Sequence, residues 1–490
     1  MTELELKFCV PEAALASLRA ALLDHGARRV RLRAHYFDTA CGALARHRVA
    51  LRLRLEGRRW VQTLKAAGEG AVHRQEHEVH VPGSSRQRPA LDPARHDGTA
   101  AGAQLAAALK AAADPSLIEQ HATDVWRLHC QMQDAQGTCI EAALDIGVAL
   151  AAGRSAPIVE FELEHKGGPL QGLFDLAQAC VQHGGLWQST LTKAERGLRL
   201  RQADDAPRAA KARPPRLAAD ADGATLMRAL LQSALEQVLA NASELAPGAD
   251  TAEVVHQLRV GLRRLRVLLR ELAPLAPAQD AAWVPVLSKV FSQLGEQRDH
   301  VAVAAAVRPL LQGAGAPLLD WQPPDTADPV QAVRAPAFQS TLLAVQALAH
   351  AGDTAYAALR PKAVRELVAA RLRKLYRQVL RAGGRFEQLP LEEQHRTRKQ
   401  LKRLRYLADF TAPLWPKRTW QRCRRRLGVA QDALGLHQDV TVAAEAFRHQ
   451  AESDPRASFA AGWLQAHQAV TARVAAQALV RLDGVPVFWR

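Results

Sequence analysis

The feature that most limits what this chain can fold into is a strict alternation at its start, Glu3-Leu4-Glu5-Leu6-Lys7-Phe8. Successive side chains of a β-strand point to opposite faces, so Glu3, Glu5 and Lys7 share one face at spacings of about 7 Å while Leu4, Leu6 and Phe8 cover the other. One face is for burial and the other for ions. Alone, the segment reads as an edge strand with a solvated charged face. The pattern returns, however, in Arg52 and Arg54 between Leu51, Leu53 and Leu55, in Arg74, Glu76 and Glu78, and in Glu160, Glu162 and Glu164 around Phe161 and Leu163. Carboxylates in one place and bases in another, all on polar strand faces, fit a closed sheet whose interior holds a metal and a polyanion.

Single hydrophobic cores rarely grow past roughly 250 to 300 residues, so a chain of 490 residues is expected to form at least two domains. The net charge of +16 is unevenly placed: residues 1–200 carry 24 Lys/Arg against 22 Asp/Glu, and the remainder 41 against 27. Such asymmetry points to a polyanionic partner for the second part. Six cysteines without CxxC spacing suggest neither a zinc site nor a disulfide framework. No uninterrupted apolar run reaches about 18 residues, and Met1 leads straight into a charged strand. The expectation is a cytoplasmic protein with no membrane partner.

Leu15, Leu18, Leu22 and Leu23 predict an amphipathic helix between Pro11 and Gly26. Strands are predicted around 31–39, 50–56, 59–66 and 74–81, the middle two joined by a tight turn at Glu56-Gly57-Arg58, then a loop over 82–102 and a short helix over 104–113. A second set of strands covers 124–133, 138–150 and 158–165, followed by a helix over 169–183. The expected class is α+β, with an N-terminal antiparallel β-barrel carrying outer helices and an all-α C-terminal domain of two pseudo-symmetric helical bundles.

Tyr36-Phe37-Asp38-Thr39, Leu51-Arg52-Leu53-Arg54, Lys65 in Thr63-Leu64-Lys65, the Glu160 to Glu164 strand and Lys193-Ala194-Glu195-Arg196-Gly197 follow the ExExK start in an order that resembles the CYTH superfamily, the triphosphate tunnel metalloenzymes. The resemblance implies metal-dependent hydrolysis of inorganic triphosphate, with magnesium, or manganese in its place, as cofactor. Glu3, Glu5, Asp145, Glu160 and Glu162 are then the candidate metal ligands, more than one ion needs. Lys7, Arg52, Arg54, Lys65, Arg74, Arg127 and Lys193 are the candidate phosphate ligands, because Arg offers phosphate a bidentate fork and Lys a compact point charge. Glu5, Lys7 and Lys65 are the candidate catalytic residues. Glu78, Glu141 and Glu164 read as ordinary surface carboxylates. Adenylate cyclase and RNA triphosphatase chemistry remain alternatives within the superfamily, and a polyphosphate-binding scaffold remains one outside catalysis.

The tunnel domain is expected over 1–202. Residues 203–222, rich in Ala, Pro and charge, read as a linker, and a helical domain over 223–485 follows, with repeats at 223–350 and 360–485. Its repeat is explicit: His256-xx-Arg259-xxx-Arg263-Arg264-Leu265-Arg266 matches His395-xx-Arg398-xxx-Lys402-Arg403-Leu404-Arg405, and each copy is followed by Leu-Gly-xxx-Asp, ending at Asp299 and Asp439. At about 100° per residue, His256, Arg259, Arg263 and Arg266, and likewise His395, Arg398, Lys402 and Arg405, each form one stripe. Like charges so packed call for an anion. This half resembles the CHAD domain, which implies inorganic polyphosphate as a partner and association with polyphosphate granules; Val301 and Thr441 stand where that family carries a further acidic residue. Aromatic residues make up 5% of the chain and none interleave the stripes, which disfavours nucleic acid.

Overall fold

The computed structural model describes the chain except Met1, residues 69–72, Asp205, Arg216, residues 249–251 and 318–327, Val485 and Arg490; the side chains of residues 2–3, 67, 73–74 and 296–302 also lie outside the description. The first part runs β1 (Thr2–Cys9), α1 (Glu12–Asp24), β2 (Arg28–Thr39), α2 (Ala43–Arg46), β3 (Val49–Glu56), β4 (Arg59–Ala67), β5 (His73–Val81), α3 (Ala100–Lys110), β6 (Leu117–Gln133), β7 (Cys139–Ala151), β8 (Arg154–Gly167), α4 (Gln171–Gly184), β9 (Trp187–Gln188) and α5 (Lys193–Gln202). Helices then follow one another: α6 (Gly223–Leu245), α7 (Ala252–Glu271), α8 (Trp283–Gln293), α9 (Glu296–Gly313), α10 (Pro329–Arg334), α11 (Pro336–His350), α12 (Pro361–Gly383), α13 (Leu391–Thr411), α14 (Lys417–Gln450) and α15 (Ala457–Val480).

The nine strands form one antiparallel sheet in the order β5-β4-β3-β2-β6-β7-β8-β1-β9. β1 also pairs with β5, through Thr2↔Gln75, Glu3↔Arg74 and Leu4↔His73, so the sheet bends round until β5 meets β1. Alternation decides which face is which. In β3, Val49, Leu51, Leu53 and Leu55 are buried in apolar clusters that include α2 and α3, whereas Ala50, Arg52, Arg54 and Glu56 line an inner cavity. In β1, Leu4, Leu6 and Phe8 join Phe161, Leu163, Leu173, Phe174 and Val181 in a core shared with β8 and α4.

Two details differ from the sequence expectation. β6 begins at Leu117, seven residues before the predicted start, because Leu117 to Thr123 continue the ladder with β2 past a bulge at Tyr36/Phe37. The β7–β8 hairpin closes on Ala152 and Gly153, both in the left-handed region (φ 49° and 75°), where two-residue turns need positive φ although alanine supplies it poorly.

The chain divides into two compact units. The first contains residues 1–211 together with 235–258 and 333–350; the second contains 212–234, 259–332 and 351–490. The first unit therefore recruits parts of α6 and α7 and all of α11 from far along the sequence. Residues 203–222 hold no helix or strand among those described, yet Ala210 both donates to and accepts from the side chain of Asn241.

Candidate functional site

The inner face of the first unit encloses a cavity of about 470 Å³, within the usual range for small-ligand sites. Glu5, Lys7, Arg52, Arg54, Lys65, Arg127, Asp145, Glu162 and Lys193 line it. They come from seven elements, brought together largely by register: across β1 and β8, Glu5 faces Glu164 and Lys7 faces Glu162, while Asp145 lies between Glu160 and Arg127.

Lys193 is the hub. Its ammonium lies 2.9 Å from Asp145, 2.9 Å from Glu160 and 2.6 Å from Glu162. It is the first residue of α5, where a capping box between Thr192 and Glu195 fixes the helix start. A cation at a helix N-terminus costs roughly 0.3 to 1 kcal/mol against the dipole, a small penalty beside three adjacent carboxylates. Arg127 forms a bidentate pair with Asp145 (2.8 and 2.7 Å) and also donates to Glu162. Arg196 Nε donates to Glu160 at 2.9 Å, and Lys7 lies 3.7 Å from both Glu160 and Glu162. Burial opposes every charge here, but the partners outweigh it: Lys193 and Arg127 are held well above their ordinary values, and Asp145, Glu160 and Glu162 below theirs.

Across the cavity, Lys65 lies 3.1 Å from Glu76 and 3.9 Å from Glu5. Arg54 pairs with Glu56 and with Glu78, which also accepts from Thr63 at 3.0 Å. Arg52 is different. Its Nη1 donates to the Tyr36 hydroxyl at 3.4 Å, and its buried Nε has no hydrogen-bond partner among the described residues. Burial works against its charge, but Tyr36, Glu76 and Glu78 outweigh that and raise it; in turn Arg52, Lys193 and Arg54 hold the buried Tyr36 phenol below its ordinary value. Tyr36 stacks on His121 (4.5 Å, 16°), and Gly197 of α5 lies so close to that imidazole that a Cβ would come within 2.0 Å of it. The glycine ending Lys193-Ala194-Glu195-Arg196-Gly197 thus lets α5 seat against the sheet.

Of the candidate metal ligands, Asp145, Glu160 and Glu162 stand together but interleaved with ammonium and guanidinium groups, and Glu5 stands near Lys65. Among the described residues no group of three or more His, Cys, Asp and Glu is arranged to hold a metal ion. Glu160 Oε2 makes no hydrogen bond among the described residues, although the Lys193 ammonium lies 2.9 Å from it. The side chains of Glu3 and Arg74 lie outside the described residues; their backbones are paired. Glu78, Glu141 and Glu164 do not lie on an outer surface, as the sequence reading had it: all three line the cavity, because the ladders put Glu78 beside Thr63, and Glu164 between Glu5 and Glu141. Tyr36, Gln188, Leu239 and Gln346 were also missed. The last two lie outside every motif, and no local signal in the sequence ties them to this cavity.

The CYTH family profile matches residues 1–205 and the CHAD profile residues 229–448. The chain is a CYTH domain followed by a CHAD domain. CYTH proteins are metal-dependent triphosphatase- and cyclase-type enzymes. Solved structures with similarity include the CHAD domain of the plant Ricinus communis (24% identity, 56% of this chain and 96% of that one, TM-score 0.44). Another is a putative adenylyl cyclase from Hippeastrum, described as having a dominant triphosphatase activity (17% identity, 40% and 94%, TM-score 0.29). A third is PptA from Streptomyces chartreusis (20% identity, 54% and 99%, TM-score 0.40).

In the CHAD part, the stripe positions are not fully solvated: Arg259 is buried, and His256, Arg263, Arg266, His395, Arg398, Lys402 and Arg405 are half-buried. The guanidiniums of Arg259, Arg263 and Arg266 lie 4.8, 5.0 and 4.9 Å from the ring of Phe291 on α8. An aromatic residue does therefore join the first stripe, supplied from a different helix. Arg266 is pushed down to about 10 by burial and by Arg270, Arg263 and Arg403, and its buried Nε has no hydrogen-bond partner among the described residues. On the second stripe, His395 Nδ1 lies 2.6 Å from Gln438 Oε1 and is lowered by burial, and Arg405 lies 3.7 Å from Asp409. The side chain of Asp299 lies outside the described residues.

Proposed function

We propose that the cavity hydrolyses inorganic triphosphate to phosphate and diphosphate with a divalent cation, magnesium or manganese. The observation that carries this is the convergence of Lys7, Arg52, Arg54, Lys65, Arg127 and Lys193 on one cavity, with a buried Arg52 Nε that no acceptor among the described residues satisfies. A buried donor without an acceptor is costly, and a phosphate oxygen is the acceptor that several cations together favour. Glu5, Lys7 and Lys65 are the residues to which the reaction is assigned.

The donor set fits a hard cation in chemistry: oxygen ligands only, carboxyls held in the ionised form, and one buried oxygen, Glu160 Oε2, that pairs with the Lys193 ammonium at 2.9 Å but takes no hydrogen bond among the described residues. Glu5, Glu160 and Glu162 would hold it, with Glu3 and Asp145 as further candidates. When bound, such an ion neutralises developing phosphate charge and aligns the attacking water. The protein's own contribution is an exchange of partners. Lys7, Arg127 and Lys193 now neutralise carboxylates; phosphate oxygens offer them a second set of anions, and the carboxylates so released are those assigned to the cation. Arg52 and Arg54 then stabilise charge on the transferred and leaving groups in an in-line displacement.

The CHAD stripes are proposed to bind inorganic polyphosphate, since His256, Arg259, Arg263 and Arg266, and likewise His395, Arg398, Lys402 and Arg405, present crowded cations. Competition of labelled polyphosphate against DNA and RNA at fixed salt tests this, and equal displacement by all three would reject selectivity. The triphosphatase reading is tested by phosphate release from triphosphate, ATP and long-chain polyphosphate, with and without magnesium or manganese. Metal-dependent release from triphosphate is expected to exceed release from ATP; preference for ATP would overturn the substrate assignment.

A further inference from the structure

The loop that delivers Lys193 is held from distant parts of the chain. β9 is only two residues long and pairs with β1 through Phe8↔Gln188 and Cys9↔Trp187, so residues 189–192 reach α5 without a ladder to satisfy their backbone. Such groups need partners elsewhere. Gln188 N donates to Gln339 Oε1 (2.9 Å), Ser189 N to Lys7 O (2.9 Å) and Thr190 N to Ser243 Oγ (2.6 Å). The Gln188 side chain accepts from Gln346 Nε2 at 2.6 Å. Arg334 stacks over Trp187 (4.2 Å) and donates to Ala246 O (2.7 Å), tying the two helical segments to β9 and to each other. The segment carries both ammoniums: Lys193 follows it directly, and Lys7 Nζ donates to Leu191 O at 3.3 Å.

We propose that Ser243 and Gln339, on the chain segments 235–258 and 333–350, are positioning residues of the phosphate site, holding residues 188–192 so that Lys7 and Lys193 stand at the cavity. This rests on the triphosphate reading above. Both residues act through backbone amides of the loop, and misplacement of a charged group by about 1 Å can cost on the order of 100-fold in rate. The tunnel is thus complete only with side chains that lie outside the CYTH match.

The test uses the full chain with Ser243→Ala, Gln339→Met, the conservative Ser243→Thr, and Thr341→Ala as a control on the same helix as Gln339, where the Thr341 hydroxyl donates within its own helix to Ala337 O. Two quantities are read: hydrogen exchange of the amides at 188–193, and KM and kcat for triphosphate. Ser243→Ala and Gln339→Met are expected to speed that exchange by about tenfold and to raise KM by about fivefold, with Ser243→Thr within about twofold of wild type and Thr341→Ala changing neither. Faster exchange with unchanged KM, raised KM with unchanged exchange, or no change in either would overturn the proposal. Lys193→Ala in the same assay separates the two readings: if it hydrolysed triphosphate as wild type does, the phosphate-site assignment itself would be wrong.

Discussion

The two charged regions of the molecule solve the problem of burying cations in opposite ways. In the cavity, burial opposes the charges of Lys193 and Arg127, but the carboxylates around them outweigh it and hold both well above their ordinary values. On the first CHAD stripe, Arg266 meets Arg263, Arg270, Arg403 and the face of Phe291, and its charge is disfavoured. The cavity is internally compensated, so its ions hold the fold, and under the proposed reaction they exchange partners. The stripe leans on the face of Phe291, and under the proposed reading an outside anion completes it. Clusters of basic residues therefore carry different meanings, set by what stands beside each.

The largest effect should come from breaking the compensated side. Lys193→Ala leaves Asp145, Glu160 and Glu162 without their common cation, and removing one member of a buried ion cluster costs about 3 to 5 kcal/mol. Chemical denaturation should show a loss of that order, and triphosphate turnover should vanish with it.

Acid should act on the first unit at two levels. His96 is fully buried, with Nε2 facing the Gln62 amide and Nδ1 facing His77 Nδ1 at 2.9 Å; burial first, then His77 and Arg95, lower it to about 4. Because the folded value lies below the ordinary 6.5, the unfolded chain takes up the proton first. Stability is therefore complete above 6.5 and falls as pH drops toward 4, by about 3 kcal/mol at most. Asp145, Glu160 and Glu162, lowered from the carboxylate range, add their loss only below about 4.5. Melting curves of wild type and His96→Gln from pH 7 to 3 should diverge between about 6.5 and 4 and run parallel below about 4.

Arg266→Met sharpens the contrast from the other side. Removing a crowded, buried cation should leave stability unchanged or raise it by about 1 kcal/mol, while weakening polyphosphate binding about tenfold. A loss of stability comparable to that of Lys193→Ala would erase the distinction between the regions. The smallest expected effect is remote from both: Ala152→Asn, at the positive-φ position of the β7–β8 turn, should stabilise by roughly 0.5 to 1 kcal/mol in thermal melts.

Much of the first unit was legible because alternation is local. Leu51, Leu53 and Leu55 announce a buried face, and Arg52 and Arg54 therefore had to face inward together. Which carboxylate meets which base was not legible, because it depends on the ladders. Glu164 faces Glu5 and Glu141 through register across three strands, and its own neighbourhood in the sequence gives no hint of that. Ser243, Gln339 and Gln346 were invisible for the same reason: each sits on a helix whose periodicity explains its burial without naming its partner. Phe291 was missed because a stripe read along one helix says nothing of the ring that a second helix lays against it.

Arg52 offers the most direct test of the idea that charges from distant strands converge on a phosphate chain, since its contact with protein acceptors is slight and its loss should spare the fold. The measurement is kcat/KM for triphosphate with magnesium in wild type and Arg52→Met, alongside thermal melts. Expected is a fall of about 100-fold, near 2.7 kcal/mol of transition-state stabilisation, with little change in melting temperature. An unchanged kcat/KM in a folded Arg52→Met chain would contradict it.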